Sequence, residues 1–182
     1  MSDAKRMRAD ARRNREAIVA AARSAFDRDE RLPFDDFAAR AGVGVGTLYR
    51  HFPTREALAG AVYQGEVAAL CDQARDPARS ARENLDALLR GFVDYLVAHA
   101  GLARTLVAVV DPAVRADGGS ELERTVADLM ARAAVDGALR DGAVVGAVMI
   151  VLHGIGSAAD RPLWASESRA AVELLIAGLG PA

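Results

Sequence analysis

The stretch FDDFAARAGVGVGTLYRHFPTR, at positions 34–55, decides how this chain folds. Within it, Ala38, Gly42 and Leu48 have the spacing of two short helices joined by a tight turn. The small Ala38 side chain lets the helices approach, Gly42 can adopt the positive φ that the turn needs, and Leu48 holds the second helix on the core. This spacing predicts a helix-turn-helix, whose second helix can enter the major groove of duplex DNA with its outward side chains on base edges.

Apolar residues recur at helical spacing on both sides of this stretch, and alanine is abundant while β-branched runs are few. The predicted fold class is therefore all-α. We predict a first helix from about Asp10 to Arg28, a short second helix ended by Gly42, a third over Val45–His51, and a fourth from Pro53-Thr54 to about Ala74.

Two later helices begin with capping-box sequences, in which a serine and a glutamate three residues on satisfy each other's backbone N–H groups. Ser80–Glu83 opens one of them, whose apolar stripe is the most regular in the chain, and Gly101 is expected as the C′ residue that ends it. Ser120–Glu123 opens the other, which is predicted to end near Gly137. A short segment at 102–110 lies between them.

The apolar run Ala143–Ser157 resembles a buried strand by composition, but its length favours a helix, since strands usually run about 4–8 residues. A helix that is apolar nearly all round must be buried on more than one side. A partner subunit is the natural cover for it. Ser166 is predicted to cap a last helix, which Gly180 and Pro181 end.

Composition limits the classes of function. The chain has 182 residues, of which 52% are hydrophobic and 26% charged, so it can form a sizeable core in one domain or in a domain with a small module. With a single cysteine and three histidines, neither a disulfide framework nor a metal or other cofactor is expected. No nucleophile elbow, phosphate loop or metal-ligand spacing favours an enzyme. In the absence of a signal segment or a long apolar span, we expect a cytoplasmic protein with no membrane partner.

Charge is unevenly distributed along the chain. The first 55 residues hold twelve basic and eight acidic side chains, whereas the rest of the chain holds eleven and seventeen. This asymmetry favours a polyanionic partner for the N-terminal part alone. The alternative is a solvated basic tail.

The string AARAGVGVGTLYRHFPTREAL, at positions 38–58, resembles the N-terminal DNA-binding region of the TetR family of bacterial transcriptional repressors. The matching residues are Phe26 in the first helix, Phe37-Ala38 and Ala41-Gly42-Val43 in the second helix and turn, Gly46 to Phe52 in the third, and Thr54, Glu56 and Leu58 at the start of the fourth. The resemblance covers about residues 13–60, and the rest of the chain is similar only in being helical and of suitable length.

The resemblance implies an all-α homodimer of about nine helices per subunit. A helix-turn-helix DNA-binding domain with a basic N-terminal arm would occupy residues 1–53, and a helical effector-binding and dimerisation domain residues 54–182. The last two helices, about 143–158 and 166–179, would build the dimer. The expected function is a repressor that binds a palindromic operator in double-stranded DNA and is released by an unidentified apolar small molecule. The alternatives are a constitutive or architectural DNA-binding protein without an effector, and a helical bundle for protein interaction.

Position in this motif also implies which side chains face DNA. They are Val45, Gly46, Thr47, Tyr49 and His51, with Arg55 on a phosphate, while Arg50 could point either to DNA or to solvent. Because few of these side chains can read a base edge, we also predict that arginines of the basic arm, such as Arg8, Arg12 or Arg13, enter a minor groove. The hydroxyls of Thr47 and Tyr49 are expected to bond phosphate oxygens, although Tyr49 could instead pack as a core aromatic against the first helix.

The sequence departs from the family pattern at both helix starts. Phe34 stands near the position where a serine or threonine commonly caps the second helix, and Asp35 and Asp36, which follow it, would repel DNA if they faced it. Gly44 replaces the serine that commonly caps the recognition helix.

Candidate walls of an effector pocket lie on the inner faces of the fourth to eighth helices, because such pockets are mostly apolar with a few polar tips. They are Tyr63, Cys71, Leu89, Phe92, Leu96, Leu106, Met130, Met149, His153 and Trp164. The alternative for each is plain core packing.

Overall fold

The structure, a computed structural model, describes residues 3–28, 30, 32–101 and 121–181. It contains eight helices in these ranges and no strand, which confirms the predicted all-α class. The helices are α1 (Asp3–Asp27), α2 (Asp36–Arg40), α3 (Val45–His51), α4 (Arg55–Gln73), α5 (Ala81–Ala98), α6 (Glu121–Val135), α7 (Val145–Ser157) and α8 (Trp164–Leu179). None of them combines the length and the apolar character that crossing a membrane requires.

The chain divides into two compact units, Met1–Gln64 and Gly65–Ala182. The division lies within α4, further along the chain than the functional boundary expected after residue 53.

In the first unit, α1, α2 and α3 pack against one another around a small core. Ile18 of α1, Phe37 of α2 and Leu48 of α3 are fully buried at its centre, and Leu58 of α4 is buried as well. Burial of each such side chain contributes about 1.5–3 kcal/mol to stability. Phe26 adds an aromatic contact with Phe37, with 6.1 Å between the ring centroids. The three helices are therefore held by apolar side chains spaced as helices require.

In the second unit, α5 packs against α6, α7 and α8. Its predicted apolar stripe is buried, with Leu85, Leu89 and Val93 fully enclosed. The predicted capping box is confirmed, because the Ser80 hydroxyl accepts from the Glu83 N–H while the Glu83 carboxylate accepts from the Ser80 N–H. The stripe and its cap together make α5 the central helix of this unit.

The bounds of α1 and α5 differ from the prediction. The first helix begins at Asp3 instead of Asp10, because no residue in the intervening stretch breaks a helix. The helix α5 ends at Ala98 with His99 as its cap, three residues before Gly101, because the backbone of His99 leaves the helical region, with φ of −119° and ψ of 49°. The turn that ends α6 is at Gly137 as predicted, with φ of +67°.

The last helix begins before the predicted cap. It starts at Trp164, so Ser166 lies inside its first turn, where the hydroxyl donates to the Leu163 carbonyl at 3.0 Å and caps no N–H. The indole N–H of Trp164 donates to the Ile155 carbonyl at 2.7 Å, and this anchor fixes the start of the helix. The segment at 102–110 and the cap expected at Ser120 lie outside the described residues.

Candidate nucleic-acid interface

The turn between α2 and α3 closes through the backbone of Gly42, which has φ of +68°. The Val43 N–H donates to the Ala38 carbonyl at 2.9 Å, and the Gly42 N–H donates to the Ala39 carbonyl at 3.1 Å. These two bonds form a Schellman motif, which satisfies carbonyls at the end of α2. The turn predicted at this glycine is confirmed.

The helix α3 has one buried and one exposed face. Leu48 is fully buried and Phe52, just after the helix, is 3% exposed. On the other side, Val45 is 44% and Tyr49 46% exposed. The remaining predicted contact residues are also accessible, with Gly46 and Arg50 exposed and Thr47 and His51 half-buried. The side chains on this face are accessible to solvent, as a surface that binds in a DNA groove requires.

Tyr49 is held against the start of α2 and does not belong to the core. Its hydroxyl donates to Oδ1 of Asp35 at 2.8 Å, and its ring meets the edge of Phe34 at a centroid distance of 5.3 Å. This hydrogen bond to Asp35 raises the pKa of Tyr49 above its ordinary value. The alternative of a core aromatic packed against α1 is therefore wrong. The sequence singled out Asp35 only as a charge near DNA, because no periodic pattern signals a pair fourteen positions apart.

Two arginines of the predicted interface make contacts within the chain. Arg50 lies along α3, where Nε donates to the Gly46 carbonyl and Nη2 to Oγ1 of Thr47, both at 3.0 Å. Arg55 donates to the Leu32 carbonyl, and its guanidinium stacks over the ring of Phe37 at 5.3 Å from the centroid. An arginine has five N–H donors, so each retains donors for a phosphate.

The predicted arm residues Arg12 and Arg13 lie within α1. Arg12 and Arg13 are exposed, and they pair with Glu16 at 3.5 Å and with Asp10 on the same helix. The structure thus places these arginines on a helical surface, with their expected minor-groove contacts still a prediction.

The acidic residues Asp35 and Asp36 are exposed at the start of α2, where Asp35 contacts Tyr49 of α3. Glu30 bridges Arg28 and Arg40, and these two cations hold the pKa of its carboxyl below the ordinary value. The carboxylate of Glu30 thus offsets part of the positive charge of these two arginines.

The ten predicted pocket residues fall into four groups in the structure. Seven are buried in the core, namely Cys71, Leu89, Phe92, Leu96, Met130, Met149 and Trp164. Tyr63 is half-buried in the first unit, His153 is exposed on α7, and Leu106 lies outside the described residues. Burial raises the pKa of the Cys71 thiol and so favours its neutral form.

A surface hollow of about 360 Å³ lies along α6 in the second unit. Its walls are Arg75, Glu121, Arg124, Thr125, Asp128 and Leu129. None of the ten predicted residues is among them, and the hollow is charged where the expected pocket is apolar.

Comparisons with known proteins cover both units. Residues 17–62 match the family model described as bacterial regulatory proteins of the tetR family, and residues 80–181 match the C-terminal domain described as transcriptional regulator SbtR-like. No curated protein matches the sequence.

Solved structures give the same result. A TetR transcriptional regulator from Streptomyces coelicolor is 36% identical over 92% of this chain and 98% of its own, with a TM-score of 0.57. A TetR regulatory protein from Mycobacterium vanbaalenii is 33% identical over 96% of this chain and 99% of its own, with a TM-score of 0.64. Thermus thermophilus FadR, a TetR family repressor solved in complex with lauroyl-CoA, shares the fold at 20% identity, over 90% of this chain and 94% of its own, with a TM-score of 0.66. The chain belongs to the TetR family of bacterial transcriptional regulators.

Proposed function

We propose that this chain is a repressor that, as a homodimer, binds a roughly palindromic operator and leaves it when a small apolar effector binds. The observation that carries the proposal is the exposed face of α3, anchored from behind by fully buried Leu48 and set at its angle by the Gly42 turn. A helix presented in this way can fit the major groove, which is about 12 Å wide.

The DNA-facing residues supply different kinds of contact. The hydroxyl of Thr47 accepts from Arg50, so its own proton remains available to a phosphate oxygen. Arg12 and Arg13 lie exposed on α1 and add positive charge for the DNA backbone. Since few of these side chains can form bidentate pairs with a base, we expect DNA shape to contribute to operator choice.

The proposed dimer surface lies on α7 and α8. These helices pack against each other, yet Ile150 of α7 is 73% exposed and Leu174 of α8 is 75% exposed. Val144 and Leu163 are exposed near the starts of the same two helices. Large exposed apolar side chains on two neighbouring helices favour an interaction surface, and a second copy would cover them on both subunits at once.

The proposed effector site is in the second unit, and support for an apolar ligand is of two kinds. The inner faces of α5, α6 and α7 supply apolar side chains such as Phe92, Met130 and Met149. Among proteins of the same fold, Thermus thermophilus FadR binds lauroyl-CoA, a ligand with a long apolar chain. Such a ligand releases DNA only to the extent that it binds the DNA-incompetent state more tightly.

Selection from random duplexes tests the proposal with the full-length protein. We expect an enriched palindrome bound at least about 10³-fold more tightly than random duplex at physiological salt. Enrichment of no sequence would contradict DNA recognition. A panel of apolar compounds, fatty acyl-CoA included, then tests release, because compounds that raise the melting temperature should also weaken operator binding. Stabilisation without release would instead favour a constitutive regulator.

A further inference from the structure

The hydroxyl proton of Tyr49 is already engaged in a hydrogen bond within the protein. A phenol has a single O–H donor, and that of Tyr49 is directed to Oδ1 of Asp35 at 2.8 Å. An ionised carboxylate only accepts hydrogen bonds, and a bond from a neutral hydroxyl to a charged acceptor is stronger than one between neutral groups. Tyr49 therefore has acceptor capacity to offer a ligand while its donor is engaged.

A phosphate is a poor replacement for Asp35 as the partner of this proton. A phosphate oxygen is an anionic acceptor, as the carboxylate is. If Tyr49 turned to a phosphate, the Asp35 carboxylate would lose its partner while another anion came close. The exchange gains no bond and adds repulsion between like charges. The expected phosphate contact of this tyrosine is thus disfavoured by the carboxylate of Asp35.

The position of the ring is fixed at two points. The edge-to-face contact with Phe34 has an interplanar angle of 81°, and the hydrogen bond to Asp35 fixes the hydroxyl end. The side chain is nevertheless 46% exposed on the face of α3 that would meet DNA. A fixed, exposed acceptor suits recognition of a base better than a mobile one, because less conformational freedom is lost on binding.

We propose that Tyr49 reads the operator as a hydrogen-bond acceptor, taking a bond from the exocyclic amino group of a cytosine or an adenine in the major groove. Cytosine N4 and adenine N6 are donors there, whereas thymine O4 and guanine O6 are acceptors, which Tyr49 cannot bind while its proton is on Asp35. In this arrangement Asp35 is a positioning residue and Tyr49 a specificity-determining one. The inference rests on the proposed DNA-binding function.

The test measures base preference at each operator position by fluorescence anisotropy, after selection of the operator with the wild-type protein. Wild type should prefer an amino-bearing base at one position of each half-site. Tyr49→Phe, which keeps the ring and removes the hydroxyl, should lose about five- to tenfold of that preference, more than it loses on random duplex. Tyr95→Phe, which removes a hydroxyl from the second unit, is the matched control and should leave the base profile unchanged.

A base analogue isolates the single contact. Replacing the contacted adenine by purine, or the contacted cytosine by 2-pyrimidinone, removes only the amino group. This change should weaken wild-type binding as much as Tyr49→Phe does, and it should have little further effect in the variant, which is the signature of a direct pair. Asp35→Ala frees the tyrosine proton, so the preference at that position should shift toward guanine or thymine.

Three results overturn the inference. If Tyr49→Phe weakens all duplexes equally and leaves the base profile intact, Tyr49 contacts phosphate, and the proposed DNA-binding function stands without this inference. Additive effects of the variant and the analogue would show that the amino group has another partner. If wild type selects no sequence at all, the proposed function and this inference fail together. Circular dichroism and a melting curve of each variant establish that it is folded.

Discussion

At Gly42 one backbone angle sets the direction in which the chain turns from α2 into α3. The φ of +68° lies in the left-handed region, where a side chain clashes with the backbone although nothing else lies within 4 Å of an added Cβ. This requirement could be predicted from sequence because glycine is the residue that most readily takes a left-handed angle after a short helix. The Tyr49–Asp35 pair could not, because it depends on how the segment before α2 packs on α3.

Gly42→Ala should lower the free energy of unfolding by about 1–2 kcal/mol, the cost of a left-handed residue that carries a Cβ. Urea unfolding measures it. Gly60→Ala is the control, because this glycine lies within α4 with open space around its Cβ position, and alanine there should raise stability by about 0.5–1 kcal/mol. Equal effects of the two substitutions would contradict the role given to the turn.

Helix ends show what periodicity can and cannot predict. The capping box at Ser80 and the extent of α3 were predictable because each depends on residues close in sequence. The start of α8 was not, since the Trp164 indole fixes it through the carbonyl of Ile155 on another helix. A contact between elements thus overrides a local capping signal such as Ser166.

Ser80→Ala should destabilise the second unit by about 1 kcal/mol, because an orphan N–H at the start of α5 loses its acceptor. Thermal and urea unfolding provide the measurement. Ser166→Ala serves as the control, since that hydroxyl donates to a carbonyl and caps no N–H, and its effect should stay within about 0.5 kcal/mol. A larger loss for Ser166→Ala than for Ser80→Ala would argue against the capping assignment.

The same cap makes stability depend on pH. Bonds from the Ser80 backbone and hydroxyl lower the folded-state pKa of Glu83 below its ordinary value of 4.5. The resulting stabilisation is present above the unfolded pKa and is lost as pH falls through the lowered folded pKa. The stability difference between wild type and Glu83→Gln should therefore be constant near neutral pH and shrink in acid. A difference that grows as the solution is acidified would be inconsistent with this account.

At the scale of the whole molecule, the single chain leaves apolar surface on α7 and α8 that a partner can cover. The need for a partner at Ala143–Ser157 could be argued from sequence, because a helix of that composition exceeds what a small domain can enclose. The sequence could not predict which of its residues stay exposed, since that depends on how α7 lies against α5 and α8.

Leu174→Glu should convert the proposed dimer to a monomer, because it would place two carboxylates in a buried apolar contact. Sedimentation analysis at micromolar concentration distinguishes the two states. Val135→Glu is the matched control, since Val135 is 89% exposed on α6, a helix that is not part of the proposed surface, and this variant should remain dimeric. Dissociation by both variants, or by neither, would place the dimer contact elsewhere.

Methylation interference on the selected operator tests most directly whether α3 of each protomer enters the major groove. Methyl groups at guanine N7 lie in the major groove, and those at adenine N3 lie in the minor groove. We predict that N7 methylation blocks binding in two segments separated by about one helical turn, 10–10.5 base pairs, or a multiple of it. Interference confined to adenine N3, with N7 methylation tolerated throughout the operator, would contradict the account.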